Sequence, residues 1–108
     1  MPHYMIQFSY NAESISSMVK NPQDRAAALR SLAQQWGGKV EAFYFAFGEY
    51  DGVAIAEVPD SVTMAAISMA VTGSGAFKAF KTTVLVTMDE AVQAMKKAGT
   101  IRYTPPSR

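Results

Sequence analysis

The chain has 108 residues; 49% are hydrophobic and 18% charged, with ten Lys and Arg against nine Asp and Glu and no Cys. This length gives one domain, with roughly 17,000 Å² of surface unfolded and about 6,000 Å² folded. The composition excludes disorder, collagen and a solvated charged tail. The missing thiols exclude disulfides and thiolate chemistry, and a net charge of +1 without a basic stripe excludes nucleic-acid binding.

Residues 3–10 alternate as a strand does. Tyr4, Ile6, Phe8 and Tyr10 point one way, and His3, Met5, Gln7 and Ser9 the other. The first set reads as core; the second is mixed. Residues 12–20 read as a short helix capped by Asn11, with Ile15, Met18 and Val19 on one side. Asn21-Pro22 breaks that run and is expected to restart it, with Asn21 as cap, Pro22 at the first helical position and Asp24 in the first turn. The second helix then runs to Trp36, with Leu29, Leu32, Ala33 and Trp36 on one face. Gly37-Gly38 stops it.

Residues 39–47 read as a strand with Val40, Ala42, Tyr44 and Ala46 on one face and Glu41, Phe43, Phe45 and Phe47 on the other. Gly48-Glu49-Tyr50-Asp51-Gly52 is a tight-turn signal, and residues 53–58 return as a strand apolar on both faces. Pro59-Asp60 opens a helix through Thr72, with Asp60 as cap and Met64, Ile67 and Val71 inward. Gly73-Ser74-Gly75 ends it. Residues 78–87 form the last strand, rich in β-branched side chains. Thr87 to Glu90 has capping-box spacing and opens a helix to Ala98. The domain is thus assigned to residues 1–100 and a tail to 101–108.

The order β-α-β-β-α-β with an added C-terminal helix is that of a ferredoxin-like α+β fold: a four-stranded antiparallel sheet with helices on one face. A hairpin that is apolar on both sides needs two covers. This chain's helices supply one; another subunit is expected to supply the other, giving a dimeric α/β barrel. A homodimer or higher homo-oligomer is therefore expected. No apolar run approaches the ~20 residues that span a bilayer. Met1-Pro2-His3-Tyr4 lacks the start of a signal peptide. The expectation is a cytoplasmic protein without membrane association.

Gly48-Glu49-Tyr50-Asp51 resembles the G-x-Y-D signature of the GYD domain family. The resemblance extends to Gly37-Gly38-Lys39-Val40, Phe43-Tyr44, Pro59-Asp60, Lys81-Thr82-Thr83 with Leu85, and Asp89-Glu90. It covers residues 4–95, nearly the whole chain. The segment Ala76-Phe77-Lys78-Ala79-Phe80 and the pair Thr87-Met88 depart from that pattern. The resemblance implies a ferredoxin-like fold of the dimeric α/β-barrel kind and little about activity. Related dimeric barrels include cofactor-free monooxygenases, small-ring isomerases and haem-degrading enzymes, an analogy at the level of fold.

Five polar residues are candidate ligand contacts: His3, Gln7, Tyr44, Tyr50 and Asp51. Tyr50 and Asp51 pair a phenol with a carboxylate, able to bind or relay a proton. The plainer reading is turn chemistry, since Asp-Gly tolerates positive φ and the Asp side chain can bond backbone amides. His3 is the single histidine, a base near neutral pH or an exposed residue near the terminus. Phe43, Tyr44, Phe45, Phe47 and Tyr50 could line an apolar cavity, with Tyr44, His3 and Gln7 as polar handles, or form core or interface. With one His, no Cys and carboxylates scattered at Glu41, Glu49, Asp51 and Glu57, no metal site is expected. No catalytic set is evident, and no cofactor is implied. Three function classes follow. The first is a small-molecule-binding protein with a modest apolar pocket. The second is a cofactor-independent monooxygenase or isomerase acting on small cyclic or aromatic compounds. The third is a structural or regulatory module whose main act is homo-oligomeric assembly.

Overall fold

The computed structural model describes residues 1–107. Its elements are β1 (His3–Tyr10), α1 (Ala12–Lys20), α2 (Arg25–Gln35), β2 (Lys39–Phe45), β3 (Gly52–Glu57), α3 (Ser61–Thr72), β4 (Phe77–Leu85) and α4 (Met88–Ala98). The strands form one antiparallel sheet in the order β2-β3-β1-β4. This is the ferredoxin-like arrangement, with the first connection split into α1 and α2. Arg108, the end of the expected tail, lies outside the described residues.

The helix caps follow from side-chain chemistry. Asn11 accepts from the Ser14 amide at 2.9 Å, and Asp60 from the Thr63 amide at 2.8 Å. Thr87 and Glu90 complete a reciprocal capping box at 3.1 and 2.9 Å. The start of α2 differs from expectation. Asn21 closes α1, its amide donating to the Ser17 carbonyl, and Asp24 caps α2 through the Ala26 and Ala27 amides at 3.0 and 3.1 Å. A carboxylate satisfies two orphan amides at once, so the helix begins there rather than at Pro22.

One irregularity reassigns a whole face. A bulge between Val40 and Ala42 places both Glu41 and Ala42 on one side of β2. Val40 pairs with Ala56 and Phe43 with Ala54, both buried on the helix side. Ala42 and Tyr44 pair with Ile55 and Val53 on the opposite face. The strict alternation expected along residues 39–47 therefore fails: Val40 shares its face with Phe43 and Phe45, and Glu41 with Tyr44.

The core is the helix-side half of β1 and β3. Tyr4, Ile6, Phe8 and Tyr10 are buried with Ala54, Ala56, Val58 and Met64 of α3. No residue of α1, α2 or α4 is fully buried. The accessible surface of 7883 Å² exceeds the roughly 5,900 Å² of a compact monomer of this mass. The radius of gyration, 17.4 Å, likewise exceeds the value of about 13 Å for this length. Along α4, Met88, Val92 and Met95 recur at helical spacing on one exposed stripe.

Candidate ligand-binding site

A cavity of about 590 Å³ lies between the sheet and the helices. Its floor is apolar: Ile6, Phe8 and Tyr10 of β1, Phe43 of β2, Ala54 of β3, and Phe77 and Phe80 of β4. Its roof is Met18 of α1, Leu29 and Leu32 of α2, and Met64, Ile67 and Val71 of α3. The polar groups Glu13, Ser14, Ser17, Gln23, Arg25 and Ser74 also border it. The cavity exists because α1 and α2 span the sheet without lodging a side chain fully in the core. Its size and apolar character are those of small-molecule sites.

Five aromatic rings give the floor its form. Phe8 meets Phe77 edge-on at 5.6 Å and Phe43 at a tilt at 5.7 Å. Tyr10 stacks on Phe77 at 4.8 Å, and Phe77 meets Phe80 edge-on at 5.9 Å. Such pairs hold one another in place and leave rigid π surfaces facing the void.

Tyr10 and Arg25 form the polar corner. Burial pushes the Tyr10 phenol above its ordinary pKa; the Arg25 guanidinium at its hydroxyl opposes the shift, and Asp51 reinforces it. The phenol is thus a neutral donor and acceptor at physiological pH. Arg25 is half-buried at the first position of α2, and its Nη1 donates to Gln23 Oε1 at 3.0 Å. Neither residue is among the five polar candidates: no motif singles out Arg25, and the alternation in β1 marks Tyr10 only as core.

The turn from Gly48 to Gly52 latches the end of β1. Asp51 Oδ2 accepts the Tyr10 amide at 2.9 Å, and the Asp51 amide donates to the Phe8 carbonyl at 2.8 Å. Ser9 Oγ donates to the Glu49 carbonyl at 3.0 Å. The Tyr10 amide needs a partner because the pairing of β1 with β4 shifts between Ser9 and Tyr10. Asp51 therefore bonds a backbone amide, as the turn reading held, and it holds Tyr10 at the cavity. The reason for the glycine differs from expectation. Neither Asp51 nor Gly52 has positive φ. A Cβ at Gly52 would run into the Phe8 ring, so the ring's close approach requires glycine.

None of the five polar candidates borders this cavity. Gln7 and Tyr50 meet across a shallow depression on the other face, together with Val53 and Lys81. Tyr44 stands beside Val53 on that face, 68% exposed. The aromatic set divides: Phe43 enters the cavity floor, Phe45 contacts Phe43 and Tyr10, and Phe47 is fully exposed. His3 lies at the far end of the open face, its Nδ1 2.7 Å from Glu41 and its Nε2 3.5 Å from Glu57. These carboxylates converge because the β2 bulge turns Glu41 toward His3. Only Glu49 and Asp51 stay apart from them, at the hairpin end. The three residues offer donor atoms within 4.8 Å of one another. The ring meets a carboxylate at each nitrogen, and the three side chains together could hold a metal ion.

The fold defines a class of small α+β domains, and the comparisons place the chain within it. It matches the GYD domain family over residues 4–95 and belongs to that family. It is 27% identical over 78 residues to the glutamine synthetase and cystathionine beta-lyase binding protein of Thermus thermophilus, covering 72% of this chain and 82% of that protein. Among solved structures it is similar to FFRP-DM1 (TM-score 0.54, 17% identity, 80% of this chain and all of that one). It is also similar to MtbAldR (TM-score 0.59, 15% identity, 80% of this chain and 53% of that one). A third likeness is to the hypothetical protein PHS023 from Pyrococcus horikoshii (TM-score 0.52, 17% identity, 81% and 92%). At these identities the structures support the fold alone. No helix among the described residues is long and apolar enough to cross a membrane.

Proposed function

We propose that the protein is a binding module that takes a small, largely apolar molecule between its helices and its sheet, without an obligatory cofactor. The observation that carries this reading is the cavity of about 590 Å³ with its aromatic floor. A void of this size lined by Phe, Leu, Ile and Met strands apolar surface that an occupant would cover. The enzymatic alternative draws no support from its candidate acids and bases, since His3, Tyr44, Tyr50 and Asp51 do not border the cavity. Native mass spectrometry of gently purified protein tests the reading. It predicts a reproducible small-molecule adduct at one copy per chain, weakened in Ala28→Trp, which fills the void from α2. An adduct retained undiminished in that variant would contradict it.

A second reading is assembly, with itself and with other proteins. The surplus surface and the exposed stripe of α4 favour it. A Thermus relative named for binding two other proteins fits the same reading. In this reading the open sheet face pairs with a second copy to close a barrel, in the cytoplasm of its host. Ile55→Asp, on that face, is expected to give monomers by light scattering. An unchanged dimer would remove the open face as the interface. The two readings are compatible, because the cavity and the open face lie on opposite sides of one sheet.

A further inference from the structure

Resting on the reading of the cavity as a small-molecule site, we infer that its occupant is an apolar monocarboxylate, its carboxylate seated on Arg25 and the Tyr10 hydroxyl. Arg25 is half-buried where it borders an apolar void. Among the described residues no carboxylate lies within ion-pair distance of it. Its Nη1 donates to Gln23, and with no carboxylate on it the fork keeps further N–H donors for an anion. Beside it the Tyr10 phenol is held neutral by burial, so its O–H is available as a second donor. Guanidinium and phenol together match the two oxygens of one carboxylate.

The charge balance sets the anion's class. Glu13 borders the same cavity, so its rim carries one cation and one anion. The amide dipoles at the start of α2 are already engaged, because Asp24 accepts from Ala26 and Ala27. Among the described residues that border the cavity, no second cation and no free helix terminus remain to hold a phosphate dianion. A single negative charge is what this corner can neutralise. The rest of the ligand meets Phe8, Phe43, Phe77 and Phe80, which suits an aromatic or compact aliphatic body.

Three probes of one shape separate this inference from the reading it rests on: 2-naphthaleneacetate, 2-naphthaleneethanol and 2-naphthylethylamine, titrated by calorimetry into the full chain. The carboxylate is expected to bind roughly ten- to a hundredfold more tightly than the alcohol, the range of one charge-assisted pair. Arg25→Gln should remove that preference. Arg25→Lys should restore part of it, and Tyr10→Phe should lower carboxylate binding by about three- to tenfold. The melting temperature of Arg25→Gln should not fall, which separates a ligand-binding arginine from a structural one. Equal binding of carboxylate and alcohol, or a preference that survives Arg25→Gln, overturns the carboxylate while leaving the cavity reading intact. Tightest binding by the amine would instead make Glu13 the anchor and overturn the assignment. Failure of all three probes to bind would overturn the inference together with the cavity reading.

Discussion

The two faces of the sheet are built from the same strands and behave oppositely. On the helix side, β1 contributes Tyr4, Ile6, Phe8 and Tyr10, all buried. On the open side the same strand contributes His3, Met5 and Gln7, each only partly covered. The helix face is completed by this chain's own helices, and incompletely, leaving a cavity. The open face carries a charged clamp at one end, apolar Met5, Val53 and Ile55 in its middle, and Tyr44 and Lys81 toward the hairpin. Alternation along a strand thus sorts residues by face: one set for the cavity side beneath the helices, one for the open face.

The substitution expected to disturb the helix face most is Gly52→Ala. Its Cβ would enter the Phe8 ring, at a cost of about 2 kcal/mol or more. Thermal melts should show a marked loss, and adding Phe8→Leu should recover part of it. Full stability in Gly52→Ala would mean that the ring turns aside freely and that the floor of the cavity is not fixed. Asp51→Ala comes next. It strands the Tyr10 amide and should cost about 1 to 3 kcal/mol in denaturant unfolding. Asp51→Asn keeps an acceptor and should retain most of that stability. Equal losses for both substitutions would show that charge, rather than hydrogen bonding, holds the latch. On the open face, Glu41→Gln with Glu57→Gln should leave the cavity and its probes untouched, because the clamp lies behind the sheet.

The smallest effect is set by pH at the helix starts. The Thr63 amide holds the Asp60 carboxyl below its ordinary value, and the Thr87 amide does the same for Glu90. For a lowered pKa the stabilisation is present above the ordinary carboxylate range, about pH 4, and is lost as pH falls through the folded-state values. Acid titration of the melting temperature should therefore show a modest decline below that range. Asp60→Asn combined with Glu90→Gln should flatten it.

Much of this architecture was legible in the sequence. Where a local rule acts alone, the reading holds. Asn11, Asp60 and Thr87 cap the expected helices, Asn11-to-Lys20 spacing gives α1, and the period-2 pattern of residues 3–10 picks Tyr4, Ile6, Phe8 and Tyr10, though Ser9 is buried as well beside the Gly48–Gly52 turn. It fails where two local signals compete or where a long-range contact decides. Asp24 outcompeted Asn21 as the α2 cap because its carboxylate satisfies two amides. The β2 bulge has no signature in Val40-Glu41-Ala42, yet it moves Glu41 to His3 and Phe43 into the cavity. Phe45, expected to share a face with Glu41, turns to the helix side for the same reason. The five polar candidates lie away from the cavity for a related cause. Polar residues attract notice on the mixed face, whereas Arg25 and Tyr10 become a pair only once α2 lies across the end of β1.

The most direct test of the account locates a bound probe. In a titration of isotope-labelled protein with 2-naphthaleneacetate followed by amide NMR, the account predicts shifts centred on Phe8, Tyr10, Arg25, Leu32, Ile67 and Phe77, around the cavity. Shifts centred on Gln7, Tyr44, Tyr50 and Val53, or along α4, would place binding on the open surfaces and contradict it.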